Sequence, residues 1–353
     1  MTRSRFRTTV VLGLVVAVVT SLSASGDAQP FPGLRESLET ALAAQERHTD
    51  RLLALPDVVG TAVGLRADGQ PVIKVYTRMV GTRGIPGNLQ GLPVEVEVTG
   101  EFVALSHTRS AWNHPVPIGV STGNAGECSA GTIGARLTWN GNIGIERRAL
   151  SNNHVYALEN TASSGSNIVQ PGLYDTGCAF DPNNIIGTLD AYQPINFNCD
   201  CQVFCVCDSA KDNTIDAASG LCSTETLGNA TPPDGYGAPS SATVSAYVGQ
   251  LVQKYGRTTE LTRGRVDGIN ATVIVSYSSG YARFRDQIIV KARRSFIRPG
   301  DSGSLLVTDP SKNPVGLLFA GNSSGKTAIA NRIDSVLSGL SAQSGKTLSI
   351  DGP

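Results

Sequence analysis

The chain of 353 residues carries 29 basic and 29 acidic side chains, so its formal net charge is zero, and only 16% of it is charged, against about 25% in a typical soluble domain. This balance argues against electrostatic capture of nucleic acid or of an acidic membrane surface, both of which need a basic excess. Thirty-nine glycines and 18 prolines predict many turns and a β-rich chain.

In chain order, residues 1–28 read as a signal peptide. Arg3, Arg5 and Arg7 precede an apolar run over 10–22 that is short for a membrane span, and small residues follow over 23–28. An uncleaved anchor is the alternative. The reading predicts export, to the periplasm or outside the cell, with no membrane association once the signal is removed.

Residues 29–115 read as a separate small α/β unit with a linker. Leu34, Leu38, Leu42, Leu52 and Leu53 fall near helical spacing before Pro56. Strands are predicted over Val58–Leu65, 72–77 and 94–98. Nothing here looks catalytic, and His48 is placed on the solvated side of the helix. The position suggests a pro-region or regulatory domain that contacts the following unit, as in a zymogen; a packing domain that is never removed is the alternative. Residues 106–117, with His107, Trp112 and His114, form the linker.

From Gly119 the rhythm is all-β, with short apolar runs separated by Gly, Asn, Pro or Asp turns, the spacing of barrels. This unit is assigned to 116–342, followed by a tail over 343–353. All seven cysteines, at 128, 178, 199, 201, 205, 207 and 222, lie within it. In an oxidising compartment they predict disulfides with one thiol left over, in a connectivity that spacing does not reveal. The cluster over 199–207 also admits a soft metal, although metal-ligand pairs more often have two to four residues between them.

The chemistry centres on residues 298–304, Arg-Pro-Gly-Asp-Ser-Gly-Ser. A serine hydroxyl needs a base to become nucleophilic, and the oxyanion formed on attack needs N–H donors already aimed at it. Gly300 and Gly303 allow the backbone beside Ser302 to turn its N–H groups toward one point. Alone, the stretch also fits an ordinary turn. His154, in Asn153-His154-Val155, and Asp216, in Asp216-Ala217-Ala218, precede it, giving the order His, Asp, Ser that a chymotrypsin-type triad requires.

These segments resemble the chymotrypsin/trypsin-like serine peptidases, in a divergent bacterial secreted form. Gly300-Asp301-Ser302-Gly303 matches their nucleophile motif, and Tyr255-Gly256-Arg257-Thr258-Thr259 is similar to a stretch that bacterial secreted members carry upstream of the serine. Ser304, Asn152 and Asn153 depart from the usual pattern. The resemblance implies a mainly β fold of two antiparallel six-stranded barrels, with His154 and Asp216 from the first and Ser302 from the second. It also implies an oxyanion hole of the Gly300 and Ser302 N–H groups, a primary pocket with Phe296 at its base, and a substrate-pairing edge at Phe319, Ala320 and Gly321. With no acidic residue near Phe296, little preference for Lys or Arg is expected, and small or apolar side chains are favoured.

Residues 321–327 have too few residues between their glycines for a phosphate-binding loop. The expectation is therefore an exported serine endopeptidase acting on polypeptides, with no cofactor, no metal and no nucleic-acid partner. The alternative is a catalytically silent fold that binds proteins or peptides.

Overall fold

The computed structural model describes residues 34–103, 110–141, 144–202 and 204–353. The signal-peptide reading of 1–28 and His107 lie outside the described residues. Helix α1 (Leu34–Leu53) opens the described chain, with Glu36 in its first turn and Arg51 in its last, charges that suit the helix dipole. Its buried stripe is Ala41, Ala44, Gln45, Thr49, Leu52 and Leu53, not the leucines at 38 and 42, which stay half-buried. Small side chains let the helix approach the sheet closely, and two polar members bond it there: Gln45 Nε2 donates to Thr61 Oγ1 at 2.8 Å, and the Thr49 and Thr61 hydroxyls lie 2.9 Å apart. His48 is likewise half-buried rather than solvated.

The helix lies on β1 (Val58–Leu65) and β2 (Pro71–Thr77), an antiparallel pair; β3 (Asn88–Leu89), β4 (Leu92–Val98) and β5 (Phe102–Val103) follow. β4 runs parallel to β2, with Ile73 opposite Val94.

The first barrel is built from β6 (Ser121–Asn124), β7 (Gly131–Thr132), β8 (Ala135–Gly141), β9 (Gly144–Ser151), β10 (Asn167–Val169) and β11 (Ile185–Tyr192). After the short pair β12 (Cys199–Asp200) and β13 (Val206–Cys207), the chain returns to it as β14 (Ala218–Cys222). Their order is β8-β9-β14-β11-β10-β6-β7. Val116, Ile118, Val120, Ile133, Ala149, Ile168, Ile186 and Leu189 fill the interior.

The second barrel comprises β15 (Leu251–Gly256), β16 (Glu260–Tyr277), β17 (Gly280–Lys291), β18 (Leu305–Thr308), β19 (Pro314–Gly321) and β20 (Thr327–Arg332). The order β17-β20-β19-β18-β15-β16 closes through β16–β17 pairing, giving six antiparallel strands. Helix α3 (Ile333–Ser344) packs Ile333, Val336 and Leu340 into the core shared by the barrels, and β21 (Ser349–Ile350) adds to β8. The mainly β double barrel behind a small α/β unit is the expected fold.

Strands β16 and β17 are longer than the apolar runs suggest. The hairpin absorbs Asp267, Gly268 and Asn270 in register shifts between 266 and 273, with left-handed backbone at Asn270 (φ 52°) and Asp286 (φ 58°). The middle of β16 seats the N-terminal unit. β1 pairs with β16, Gly60 opposite Val273 and Thr61 opposite Thr272, so one sheet runs from the barrel into that unit. Lys74 Nζ caps the seam, 2.8 Å from Asp267.

Candidate active site

β9 runs from an exposed start to a fully buried end at Ser151, and the turn that follows, α2 (Asn153–Tyr156), carries His154. Both unusual asparagines before the histidine are used. Asn152 Nδ2 donates to the Asp216 carbonyl at 2.7 Å, and Asn153 Nδ2 donates to the Gln193 carbonyl (2.7 Å) and to Asn160 Oδ1 (2.8 Å). Asp216 lies just before β14, wholly buried, with its own N–H donated to Asn331 Oδ1 at 3.0 Å.

The two side chains meet. His154 Nδ1 is 2.6 Å from Asp216 Oδ2, and the His154 N–H donates to Oδ1 at 3.2 Å. A third donor, the Tyr277 hydroxyl, reaches Oδ2 at 2.9 Å. Burial disfavours the imidazolium, but the Asp216 charge and hydrogen bond, helped by Glu159 and Glu127, outweigh it and raise the His154 pKa above its ordinary value. Nδ1 bound to a carboxylate fixes the tautomer that leaves Nε2 as the acceptor. Nε2 is buried without a hydrogen-bond partner among the described residues.

The loop carrying Ser302 is held from both barrels. Inside the second, the Asp301 carboxylate accepts from the N–H groups of Arg298 (2.8 Å), Thr258 (2.9 Å) and Thr259 (3.1 Å) and from the Thr259 hydroxyl (2.7 Å). It also faces Lys254 Nζ at 3.4 Å, both side chains fully buried. From the first barrel, the Thr132 N–H donates to the Ser302 carbonyl (2.7 Å) and its hydroxyl to the Gly300 carbonyl (2.6 Å), while it accepts from the Arg257 N–H at 3.1 Å. Beside this contact Arg257 forms a two-pronged ion pair with Asp175, at 2.8 and 2.5 Å.

Gly303 is required by space as well as by its φ of 93°. A Cβ there would lie 2.2 Å from Ser151 Oγ and 2.3 Å from the Thr132 carbonyl. Ser304, the third departure from the family pattern, closes the turn by donating its hydroxyl to the Asp301 carbonyl at 2.5 Å. The N–H groups of Asp301 and Gly303 are spent on the carbonyls of Arg298 and Leu318. Those of Gly300 and Ser302 have no acceptor among the described residues, which leaves two backbone donors unspent. Ser302 is completely buried, and its hydroxyl donates to the Phe319 carbonyl at 3.4 Å.

The remaining expected residues are less directly placed. Phe296 packs fully buried in the second barrel's core with Val252, Val266, Val290 and Ile297, and its carbonyl accepts the Thr262 hydroxyl at 2.8 Å. Phe319, Ala320 and Gly321 end β19, where Gly321 pairs with Val103 of β5. The cysteines at 199–207 form the disulfides Cys199–Cys207 and Cys201–Cys205, which uses up the thiols a metal would need; Cys128 pairs with Cys178. Cys222 is unpaired, its thiol pushed up to about 12 by burial. Sequence reasoning missed Tyr277, Thr132, Asn331 and Lys254. Lys254 stands beside Gln253 and Asn331 beside Arg332, so neither stood out as a lone polar residue in an apolar run.

No family model and no curated protein matches the chain. Among solved structures it is similar to a glutamic acid specific serine protease that utilizes a novel histidine triad in substrate binding, with 18% identity over 67% of this chain and 100% of that one, at a TM-score of 0.43. It is also similar to a Nocardiopsis protease, NAPase (19% identity, 67% and 99% covered, TM-score 0.43), and to Thermobifida fusca protease A (17%, 66% and 98%, TM-score 0.43). In fold the chain is chymotrypsin-like: a closed six-stranded antiparallel barrel stands beside a second antiparallel sheet, and the His, Asp and Gly-Asp-Ser-Gly segments follow in that order.

Proposed function

We propose that the chain is an exported serine endopeptidase. The observation that carries the reading is the buried His154–Asp216 pair at 2.6 Å, whose Nε2 is left without a hydrogen-bond partner among the described residues. In this reading Ser302 Oγ turns from the Phe319 carbonyl to Nε2, passes its proton to His154 and bonds to the scissile carbonyl carbon. The Gly300 and Ser302 N–H groups receive the oxyanion. His154 gives the proton to the departing amine as the C–N bond breaks, and a water activated by the same imidazole then hydrolyses the acyl ester. Asp216 orients the ring and balances its positive charge throughout.

Export is supported by three disulfides, which persist in oxidising compartments. No helix among the described residues is long and apolar enough to cross a membrane. The substrates are polypeptides with small or apolar side chains at the primary position. Residues 29–115 restrain the peptidase unit directly: β5 occupies Gly321, on the edge assigned to substrate backbone.

One observation favours a second reading, a silent fold that binds peptides: the Ser302 hydroxyl is bonded to Phe319 and not to His154. Labelling with a fluorophosphonate probe, read by intact and peptide mass, separates the two. A stoichiometric adduct on Ser302 that is lost in Ser302→Ala and His154→Ala is expected of the peptidase. No adduct on the folded protein, with or without residues 29–115, would leave the binding module.

A further inference from the structure

The second barrel reaches back over the acid–base pair through the turn of its longest hairpin. β16 ends at Tyr277 and β17 begins at Gly280. The Tyr277 ring is buried edge-on to His154, with centroids 5.9 Å apart, and packs against Phe197 and Phe284. Its hydroxyl bonds Asp216 Oδ2, the oxygen that faces His154 Nδ1. The three donors on that carboxylate therefore come from both barrels. Phe319, Ala320 and Gly321, on β19, bring no side-chain hydroxyl to the same region.

One residue further on, the first barrel grips the turn in return. Glu159 accepts from the Ser278 N–H at 3.2 Å, the Ser278 hydroxyl at 2.7 Å and the Ser279 N–H at 2.7 Å. Glu159 is the middle of three consecutive left-handed residues, Leu158 (φ 49°), Glu159 (φ 54°) and Asn160 (φ 77°), a backbone that its surroundings must hold in place. The loop is tied to the residue before the histidine, since Asn153 Oδ1 accepts the Asn160 N–H at 3.2 Å and Asn153 Nδ2 donates to Asn160 Oδ1. The linkage from Asp216 to Tyr277, the turn, Glu159, Asn160, Asn153 and His154 is thus a closed ring.

We infer that the β16–β17 turn clamps the His154–Asp216 pair, with Tyr277 and Glu159 as positioning residues: Tyr277 fixes the carboxylate so that Oδ2 faces Nδ1, and Glu159 fixes the turn that carries Tyr277. The inference rests on reading that pair as the acid–base machinery of Ser302. Burial, reinforced by Asp216, holds the phenol far above its ordinary value, so Tyr277 remains a donor at every pH at which the histidine works.

The test compares the full chain with Tyr277→Phe, Glu159→Ala and Glu159→Gln, each checked for folding by near-ultraviolet circular dichroism. Two readouts are followed: the downfield proton resonance of His154 Nδ1–H, and the rate and saturation constants for fluorophosphonate labelling of Ser302. Tyr277→Phe removes one hydrogen bond to a charged group, and about a tenfold fall in the limiting labelling rate with an unchanged saturation constant is expected. The Nδ1–H resonance should broaden or vanish. Glu159→Ala should act in the same direction, with Glu159→Gln partly rescued because its amide oxygen still accepts. A folded Tyr277→Phe variant with the wild-type resonance and rate would overturn the clamp. If the wild type is not labelled, the peptidase reading falls, and the resonance alone decides the clamp.

Discussion

The two sides of the candidate site are held to different degrees. On the histidine side every polar atom of the Asp216 carboxylate is engaged, and its backbone N–H and carbonyl are taken by Asn331 and Asn152. On the serine side the loop is equally fixed, but the hydroxyl itself is bonded to a main-chain carbonyl at 3.4 Å. The His154–Asp216 pair is thus assembled in the fold, whereas the Ser302 hydroxyl is held by a main-chain carbonyl and makes no hydrogen bond to His154 among the described residues.

The sharpest way to break the serine side is Asp301→Ala. It removes the acceptor of four hydrogen bonds and takes from the buried Lys254 ammonium the carboxylate it faces, for which about 3–5 kcal/mol of stability is expected to be lost. Urea denaturation measures the loss. A fall of less than about 1 kcal/mol would mean that the carboxylate is not the anchor of the loop.

Thr132→Val comes next. The shape is kept, but the Gly300 carbonyl loses its donor and the Arg257 N–H its acceptor, so about 1–3 kcal/mol is expected to go. Because those groups flank the two spare N–H donors, labelling of Ser302 should slow while the His154 Nδ1–H resonance stays in place. A change confined to the histidine would reverse the assignment of Thr132 to the serine side.

The histidine side is probed by pH. With its folded pKa raised above 6.5, His154 is protonated, and unable to accept the Ser302 proton, at pH values where a free imidazole would still work. Labelling should therefore fall toward acid with a midpoint above 6.5. The stability sign is opposite to that of a buried acid: the raised pKa contributes fully below the unfolded value and is lost as pH rises through the folded one. The difference in Tm between wild type and His154→Ala, followed from about pH 5 to about pH 9, should shrink with rising pH. A constant difference would show that Asp216 does not stabilise the cation.

How far this site was legible depends on where its information sits in the chain. His154, Asp216 and Ser302 could be found because each chemical type stands in a short recognisable segment, and the turn glycines announce the loop. Thr132 and Tyr277 carry no local signature; a threonine or tyrosine at a strand end is chemically unremarked until folding brings residue 132 to residue 300 and residue 277 to residue 216. The helix was legible from the spacing of its leucines, and Leu52 and Leu53 do lie on its buried side, but Ala41, Ala44, Gln45 and Thr49, which share that side, carried no signal. The cysteine cluster was open between metal and disulfide because spacing alone does not determine which thiols meet.

The smallest expected effect is a control on both sides at once. Lys74→Met deletes one cation from the seam between the N-terminal unit and the second barrel, but Asp267 keeps Lys291 at 3.0 Å, so no carboxylate is left unpaired. The seam is also secured by the backbone ladder of β1 on β16 and by Gln45 on Thr61. A loss of about 1 kcal/mol or less is expected, with labelling and the His154 resonance unchanged, by thermal denaturation and the same two assays. Should labelling of Ser302 change while stability does not, the seam would have to be read as a conduit to the site, since β16 is the one strand that pairs with the N-terminal unit at one position and presents Tyr277 to Asp216 at its end.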